Sequence, residues 1–337
     1  MQLESVRELK ASLQDTVLTT LTEAPRVRAL GVAAGQVARI ERPPVARTLA
    51  LGIVPGPRDD YRLAVRIQRR ALEGGDAVES IRRSARGEVD VRYIGRVVKR
   101  ADQAQLSPLQ GRLRPLRIGG SIGHFKITAG TLGSFVRSRA DSATLILSNN
   151  HVLANENRAK KGDLILQPGH FDQGMAPADV VGSLASFVRL KRSGNNLLDC
   201  AAAKINQGIE FDFQGLDSVG RLTGLSDELL REGQMVHKVG RTTGVTRGRV
   251  TAIEMDNVLI DYDLGTLRFD QQIEIEGADD VAFSAGGDSG SVIVDDTGRA
   301  VALLFAGGDQ GGENGKGLTY ANPLRPVLEA MKVDLIF

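Results

Sequence analysis

Near the start of the chain, apolar residues recur every three or four positions: Leu3, Val6, Leu9, Leu13, Val17 and Leu21. That period predicts an amphipathic helix over 3–22, inside an N-terminal segment 1–25, with a stripe that packs on its own chain or docks on a partner. The period then changes. Leu63, Val65 and Ile67 alternate with Arg62, Ala64 and Arg66, which predicts a strand over 61–67. A helical interval follows, and VDVRYI at 89–94 reads as another strand. These elements predict a small β-α-β unit within a segment 26–110, closed by the polar, proline-containing stretch ADQAQLSPLQGRLRP, which reads as a linker.

After residue 116 the texture becomes short β-branched runs divided by Gly, Asn and Asp: ATLILS, DVVGSLASFV, DCAAAKI, MVHKVG, GRVTAIEM, GSVIVDD and AVALLFAGG. Many short strands at turn-marked intervals, without helical stretches between them, predict β-barrels over 111–337. The end, NPLRPVLEAMKVDLIF, reads as one closing helix, and no internal repeat is visible. The expected fold class is therefore mainly β, preceded by a small α/β domain.

Composition narrows the function classes. The 337 residues suffice for a sizeable core, and 42% hydrophobic with 25% charged residues describes an ordinary globular protein. A net charge of +2 is too small to argue for nucleic acid. Arg66, Arg69, Arg70, Arg82, Arg83 and Arg86 read as a solvated helix surface. The single cysteine, Cys200, permits no intramolecular disulfide and no cysteine metal cluster, which suits a reducing compartment. Acids at Glu4 and Asp15 do not fit a secretory signal, and no run approaches the roughly 18 apolar residues of a membrane span. The expected location is the cytoplasm, with neither nucleic acid nor membrane as partner.

The candidate chemistry lies in GGDSGSVIV, residues 286–294. Glycine frees the backbone so that N–H groups can converge on one space, and Val292-Ile293-Val294 reads as a buried strand. A serine there is a poor nucleophile unless a base takes its proton, and the base needs a carboxylate to hold its tautomer. The chain has four histidines. His151 stands in LILSNNHVLA, after a buried strand; Asp199 heads the apolar run in NLLDCAAAKI, 48 residues later, and Ser289 follows after another 90. His124, His170 and His237 have no partners at metal-ligand spacing and take ordinary polar roles; no metal and no cofactor are expected. GGDQGGENGKG departs from a phosphate-binding loop at Gln310 and Gly317 and reads as a loop beside a substrate pocket.

With those three contexts in order, the sequence resembles the trypsin-like, chymotrypsin-fold serine peptidases. SNNHV is similar to the histidine motif of the HtrA and glutamyl-endopeptidase branches, LDCAAAKI to their Asp-strand motif, and GGDSGS to the serine motif. AGTLGSFV resembles their first barrel strand, and HKVGRTTGVTRGRV the strand and turn preceding the serine in cytosolic bacterial and plant members, including the narrow-leaf type. The resemblance covers about 115–337. It implies a double β-barrel and a serine endopeptidase in which His151 is the general base, Asp199 orients it and Ser289 attacks. It also implies an oxyanion hole from the N–H groups of Gly287 and Ser289, with Asp288 shaping the loop. Strand alternation turns Cys200, next to Asp199, away from these residues as a small core residue.

The resemblance extends to specificity. Phe283 and Ser284 fall at the pocket base and Leu304, Phe305, Ala306 and Gly307 along a wall; with no acid among them, a small-to-medium apolar P1 residue is expected. LRIGGSIG at 116–123 looks like a zymogen junction, in which a freed Ile118 amine would pair with Asp288, although a Gly-rich approach to the first barrel strand requires no cleavage. Partners are expected to be protein or peptide substrates, with residues 1–110 recruiting a regulator or a second copy. The alternatives are a catalytically silent peptidase-like binding module and, less well matched because a G-x-S-x-G elbow is absent, a hydrolase of small esters.

Overall fold

The structure, a computed structural model, describes residues 1–18, 49–99, 107–127 and 129–337. The N-terminal helix α1 spans Leu3–Leu13 and passes into a single wider turn, Gln14–Leu18. The last helical positions expected from the period lie outside the described residues. Its buried face holds Val6, Leu13 and the stem of Lys10, whose Nζ meets Asp256 Oδ2 at 2.9 Å, so the helix packs on its own chain. Strands β1 (Leu49–Pro55) and β2 (Tyr61–Ile67) are antiparallel. Helix α2 (Asp76–Ser84) then crosses to β3 (Val89–Tyr93), parallel to β2 with Leu63 opposite Val89. The β-α-β unit expected from the alternation is thus present, and a three-residue strand β4 (Val97–Lys99) follows it.

A first, half-open barrel is built from β5 (Ser121–His124), β6 (Ser134–Ser138), β7 (Thr144–Ser148), β8 (Leu164–Leu166), β9 (Val180–Phe187) and β10 (Ala201–Ile205). Their spatial order is β6-β7-β10-β9-β8-β5. A one-turn helix α3 (Asn150–Leu153) follows β7.

The second barrel uses β11 (Met235–Gly240), β12 (Gly244–Asp256), β15 (Gln272–Gly277), β16 (Val292–Asp295), β17 (Arg299–Gly307) and β18 (Leu318–Pro323). Between β12 and β15 a hairpin, β13 (Val258–Tyr262) and β14 (Gly265–Phe269), projects from the wall. The ring β11-β12-β15-β18-β17-β16 closes on itself, which removes free sheet edges from that circuit. Val292 and Leu303 of this barrel share a core with Phe135, Leu147 and Cys200 of the first, so the barrels pack against each other.

The chain end departs from the single helix expected. Helix α4 covers only Leu324–Met331, because Lys332 turns left-handed at φ 54°. Val333–Leu335 then forms β19, antiparallel to β6 with Leu335 opposite Val136. A three-residue alternating tail could satisfy either period, and an open strand edge on the first barrel decided it.

The N-terminal sheet is continuous with the second barrel. Strand β1 runs antiparallel to β12, with Ile53 opposite Ile253, and Val6, Leu51 and Leu63 share a core with Val236, Val250 and Ile275. Arg66 corrects the solvated-surface reading. It lies on β2 at 0% exposure, with Nη2 2.8 Å from Glu274 Oε1 and Nη1 3.0 Å from Asp90 Oδ2, while the Tyr320 hydroxyl donates to Glu274 Oε2 at 2.9 Å. Both faces of β2 are covered, so its alternation marks two packed faces; Arg82, Arg83 and Arg86 on and after α2 are exposed as expected.

Candidate active site

Strand pairing assembles the first two candidate residues. Ser148 at the end of β7 lies opposite Ala201 at the start of β10, so the turn after one strand and the residues before the other meet at one barrel end. His151 stands on α3 and Asp199 just before β10. Asp199 Oδ2 is 2.6 Å from His151 Nδ1, and Oδ1 accepts the His151 backbone N–H at 3.2 Å. The Tyr262 hydroxyl, from the projecting hairpin, donates to the same Oδ2 at 2.7 Å. The backbone of Asp199 is fixed as well: its N–H donates to Asn322 Oδ1 at 2.9 Å and its carbonyl accepts Asn149 Nδ2 at 2.7 Å. Asp199 is fully buried, which alone would raise its pKa; the His151 charge and the three donors outweigh burial and hold the carboxyl below its ordinary range. With Nδ1 donating to a carboxylate, Nε2 is left as the basic nitrogen.

Ser289 lies in the loop between β15 and β16, 1% exposed. The loop is seated on the first barrel: Thr131 N–H donates to Ser289 O at 2.8 Å and Thr131 Oγ1 to Gly287 O at 2.9 Å. Gly290 sits so close to Ser148 Oγ that a Cβ would overlap it, which places the serine loop beside the strand leading to His151. The Ser289 hydroxyl donates to Phe305 O at 3.2 Å, and His151 Nε2 is buried without a hydrogen-bond partner, so the two groups are not hydrogen-bonded to each other. The N–H groups of Gly287 and Ser289 donate to no protein acceptor among the described residues. Gly287 has φ 91° and a Cβ there would strike Arg241 Nη1 and Thr242 Oγ1, so glycine is required by both conformation and space.

Asp288 anchors this loop from beneath. Its Oδ1 accepts the N–H groups of Thr242 at 3.0 Å and Thr243 at 3.2 Å, and its Oδ2 accepts Thr243 Oγ1 at 2.7 Å and Ala285 N–H at 3.0 Å. Lys238 Nζ lies 3.3 Å from Oδ2, both side chains being 0% exposed. Burial opposes the carboxylate, but the ammonium and these donors outweigh it and hold Asp288 below its ordinary range. The cation that a zymogen-like cleavage would have supplied is therefore already present as Lys238, and Ile118 is buried at 2% exposure with Gly119 N–H bonded to Leu132 O.

The proposed pocket residues fall near the same loop. Ser284 Oγ is 2.7 Å from Thr319 Oγ1, and the Phe283 carbonyl accepts Thr246 Oγ1 at 2.7 Å while its ring lies in the second-barrel core. Leu304 also gives its side chain to that core, whereas Phe305 and Ala306 belong to a third cluster with Tyr262 and Phe269. Of the remaining histidines, His124 Nε2 is 3.0 Å from Asp163 and His237 Nε2 2.8 Å from Asp296. Among the described residues, no group of three or more His, Cys, Asp or Glu is placed to hold a metal. Nor is any helix there long and apolar enough to cross a membrane. Cys200 is buried in the first-barrel core, where burial pushes its thiol far up.

Sequence reasoning missed Tyr262, Lys238, Asn149 and Asn322. Lys238 had a local signal, a lone cation in the apolar strand MVHKVG; the hydroxyl of Tyr262 reaches its partner only through the hairpin.

No family model matches the chain, and no curated protein matches it in sequence. Solved structures similar to it include Thermobifida fusca protease A, at 17% identity over 66% of this chain and 99% of that one, with a TM-score of 0.45. Cellulomonas bogoriensis chymotrypsin is 20% identical over 66% of this chain and 99% of its own, TM-score 0.45. Nocardiopsis protease is 17% identical over 67% of this chain and 100% of its own, TM-score 0.46. These neighbours are chymotrypsin-fold serine proteases.

Proposed function

We propose that this protein is a serine endopeptidase that cleaves protein or peptide substrates through an acyl-enzyme. The observation that carries the reading is the buried Asp199–His151 pair, which leaves Nε2 unpartnered at the barrel end where the Ser289 loop, with two unengaged N–H groups, is seated. In the proposed reaction Ser289 Oγ attacks the peptide carbonyl carbon as its proton passes to His151 Nε2. The Gly287 and Ser289 N–H groups hold the oxyanion, a contribution on the order of 3 kcal/mol per donor in comparable sites. The C–N bond then breaks as His151 returns the proton to the leaving amine, and water, deprotonated by the same nitrogen, releases the acid. The hydroxyl must first leave Phe305 O for Nε2, a side-chain rotation that substrate binding would accompany.

At P1 the reading is a small-to-medium apolar residue, since Phe283, Ser284, Leu304, Phe305, Ala306 and Gly307 offer no charge to pair with a buried ion. Residues 1–110 are proposed to regulate access or recruit partners, and the single cysteine supports a reducing, cytoplasmic setting. A second reading, a silent peptidase-like binding module, is favoured by the absent Ser289–His151 hydrogen bond. A fluorophosphonate probe separates the two: labelling that disappears in Ser289→Ala supports the enzyme, and a folded wild type that never labels supports the silent module.

A further inference from the structure

The edge of β17 beside Ser289 is already filled. Gly290 N–H donates to Leu304 O at 2.8 Å and Ser289 Oγ to Phe305 O, so the serine loop flanks the end of β17. At Ala306 and Gly307 one edge of β17 pairs with β18, Ala306 opposite Tyr320 and Gly307 opposite Thr319. The other edge pairs antiparallel with β4, Ala306 opposite Lys99 and Gly307 opposite Val98. The far side of β4 runs parallel to β13, with Ile260 opposite Val97 and Asp261 opposite Val98. Three residues from the N-terminal segment thus lie in a slot between the strand that flanks the nucleophile and the hairpin that carries Tyr262.

Direction gives this slot meaning. Being antiparallel to β17, β4 advances from Gly307 towards Ala306, that is, towards Phe305 and Ser289. A peptide bound in the same register would place its next residue opposite Phe305, presenting its carbonyl to the serine. Extended peptides gain main-chain hydrogen bonds by adding to such an edge, and alternate side chains set specificity. The side chain at the Lys99 position meets acids: Nζ is 2.5 Å from Glu156 Oε1 and 3.0 Å from Asp263 Oδ2. The Glu156 side chain is 2% exposed and also accepts the N–H groups of Asp263 at 3.2 Å and Leu264 at 2.9 Å, so a buried anion is built into the wall. Arg158 Nη1 approaches it only to 3.9 Å, leaving Lys99 as its close cation among the described residues.

We propose that residues 97–99 are a self-blocking strand, filling the groove between β17 and β13 along which the acyl side of an extended peptide reaches Ser289. Glu156 and Asp263 make that groove select a basic side chain, one position before the acylated residue. The inference rests on Ser289 as nucleophile for its catalytic meaning, while the groove itself is testable without turnover. Val98→Pro removes a ladder N–H, and Lys99→Glu sets a like charge against Glu156 and Asp263.

Peptide binding is measured first, by fluorescence anisotropy in full-length Ser289→Ala, using labelled hexapeptides with Lys or Glu before an apolar residue. If the groove is open in under roughly a tenth of molecules, each added substitution should tighten binding of the Lys peptide by about tenfold or more, and the Glu peptide should lag. Hydrolysis of matching peptide anilides should rise likewise in the variants that keep Ser289. Labelling by a small alkyl fluorophosphonate, which needs no groove, should stay within about twofold. Equal peptide binding with and without the substitutions would overturn the proposal, as would indifference to Lys against Glu. Should Val98→Pro not fold, Lys99→Glu decides alone. A failure of every form to label would remove Ser289 as nucleophile, while the anisotropy result still decides the groove.

Discussion

Replacing Lys238 by methionine tests whether the support beneath the serine loop is electrostatic. The 3.3 Å pair is wholly buried, and at an effective dielectric of about 20 two unit charges that close attract by about 5 kcal/mol. Removing one partner of a buried pair typically costs about 3–5 kcal/mol, because the other charge is stranded. Asp288 would keep its donors from Thr242, Thr243 and Ala285, which places the expected loss near the lower end, about 3 kcal/mol. Asp288's folded carboxyl titrates below its unfolded value of about 3.9, so its stabilisation is full above that pH and is lost as pH falls through the folded value. Without the cation the folded value moves up, the variant takes its proton before the wild type does, and the stability gap narrows as pH falls. Guanidinium unfolding at a series of pH values reads this directly, and fluorophosphonate labelling reads the loop. Lys238→Met/Asp288→Asn should recover only part of the loss, because the neutral amide removes the stranded charge but sets its NH2 against the Thr243 hydroxyl and the Ala285 N–H. A single variant within about 0.5 kcal/mol of wild type, or a gap that ignores pH, would refute the reasoning.

Ser289→Ala should abolish peptide turnover with the denaturation midpoint little changed, and His151→Ala should abolish it without unfolding the protein although the midpoint falls, because the buried Asp199 carboxylate loses its partner; stopped assays and circular dichroism can check both. Asp199→Asn should lower kcat by about 10⁴ through the wrong imidazole tautomer, with a small residual rate measurable over hours. Tyr262→Phe removes one hydrogen bond to a carboxylate, worth about 1.5–3 kcal/mol, so kcat should fall roughly 10- to 100-fold with KM little changed; an unaltered kcat would reduce the hydroxyl to packing. Mass-spectrometric profiling of a peptide library should show Ala, Val or Leu at P1, and a dominant Arg, Lys or Glu there would show the pocket assignment to be wrong.

The barrels were legible because each strand carries its own burial signal: ATLILS and GSVIVDD contain continuous apolar runs that only a covered strand accommodates, and β7 and β16 fall within them. His151 and Asp199, which the structure pairs, stood out for a related reason, one following such a run and the other heading one. Arg66 was misread because alternation reports two faces and not what covers the second, here Glu274 and Asp90. Tyr262 lies 63 residues from Asp199 in sequence, in a hairpin whose own pattern contains nothing about a carboxylate. Strand β4 is only Val97–Lys99, too short for any period, and it exists as a strand because β17 and β13 offer it two edges.

That hairpin links two properties the sequence kept apart. Tyr262 stacks on Phe269 with centroids 5.9 Å apart, and Phe269 meets Phe305 in a tilted contact at 4.8 Å, while Val97 and Ile94 enter the same cluster. One aromatic column therefore runs from the group that hydrogen-bonds Asp199 to the residue whose carbonyl holds the Ser289 hydroxyl, with the blocking strand packed against it. A peptide that displaces β4 must rebuild the contacts of Val97 on this column, and a poor fit there would be felt at Tyr262 and so at Asp199. Groove occupancy and acid positioning share one packing unit, which would couple substrate choice on the acyl side to kcat as well as to KM.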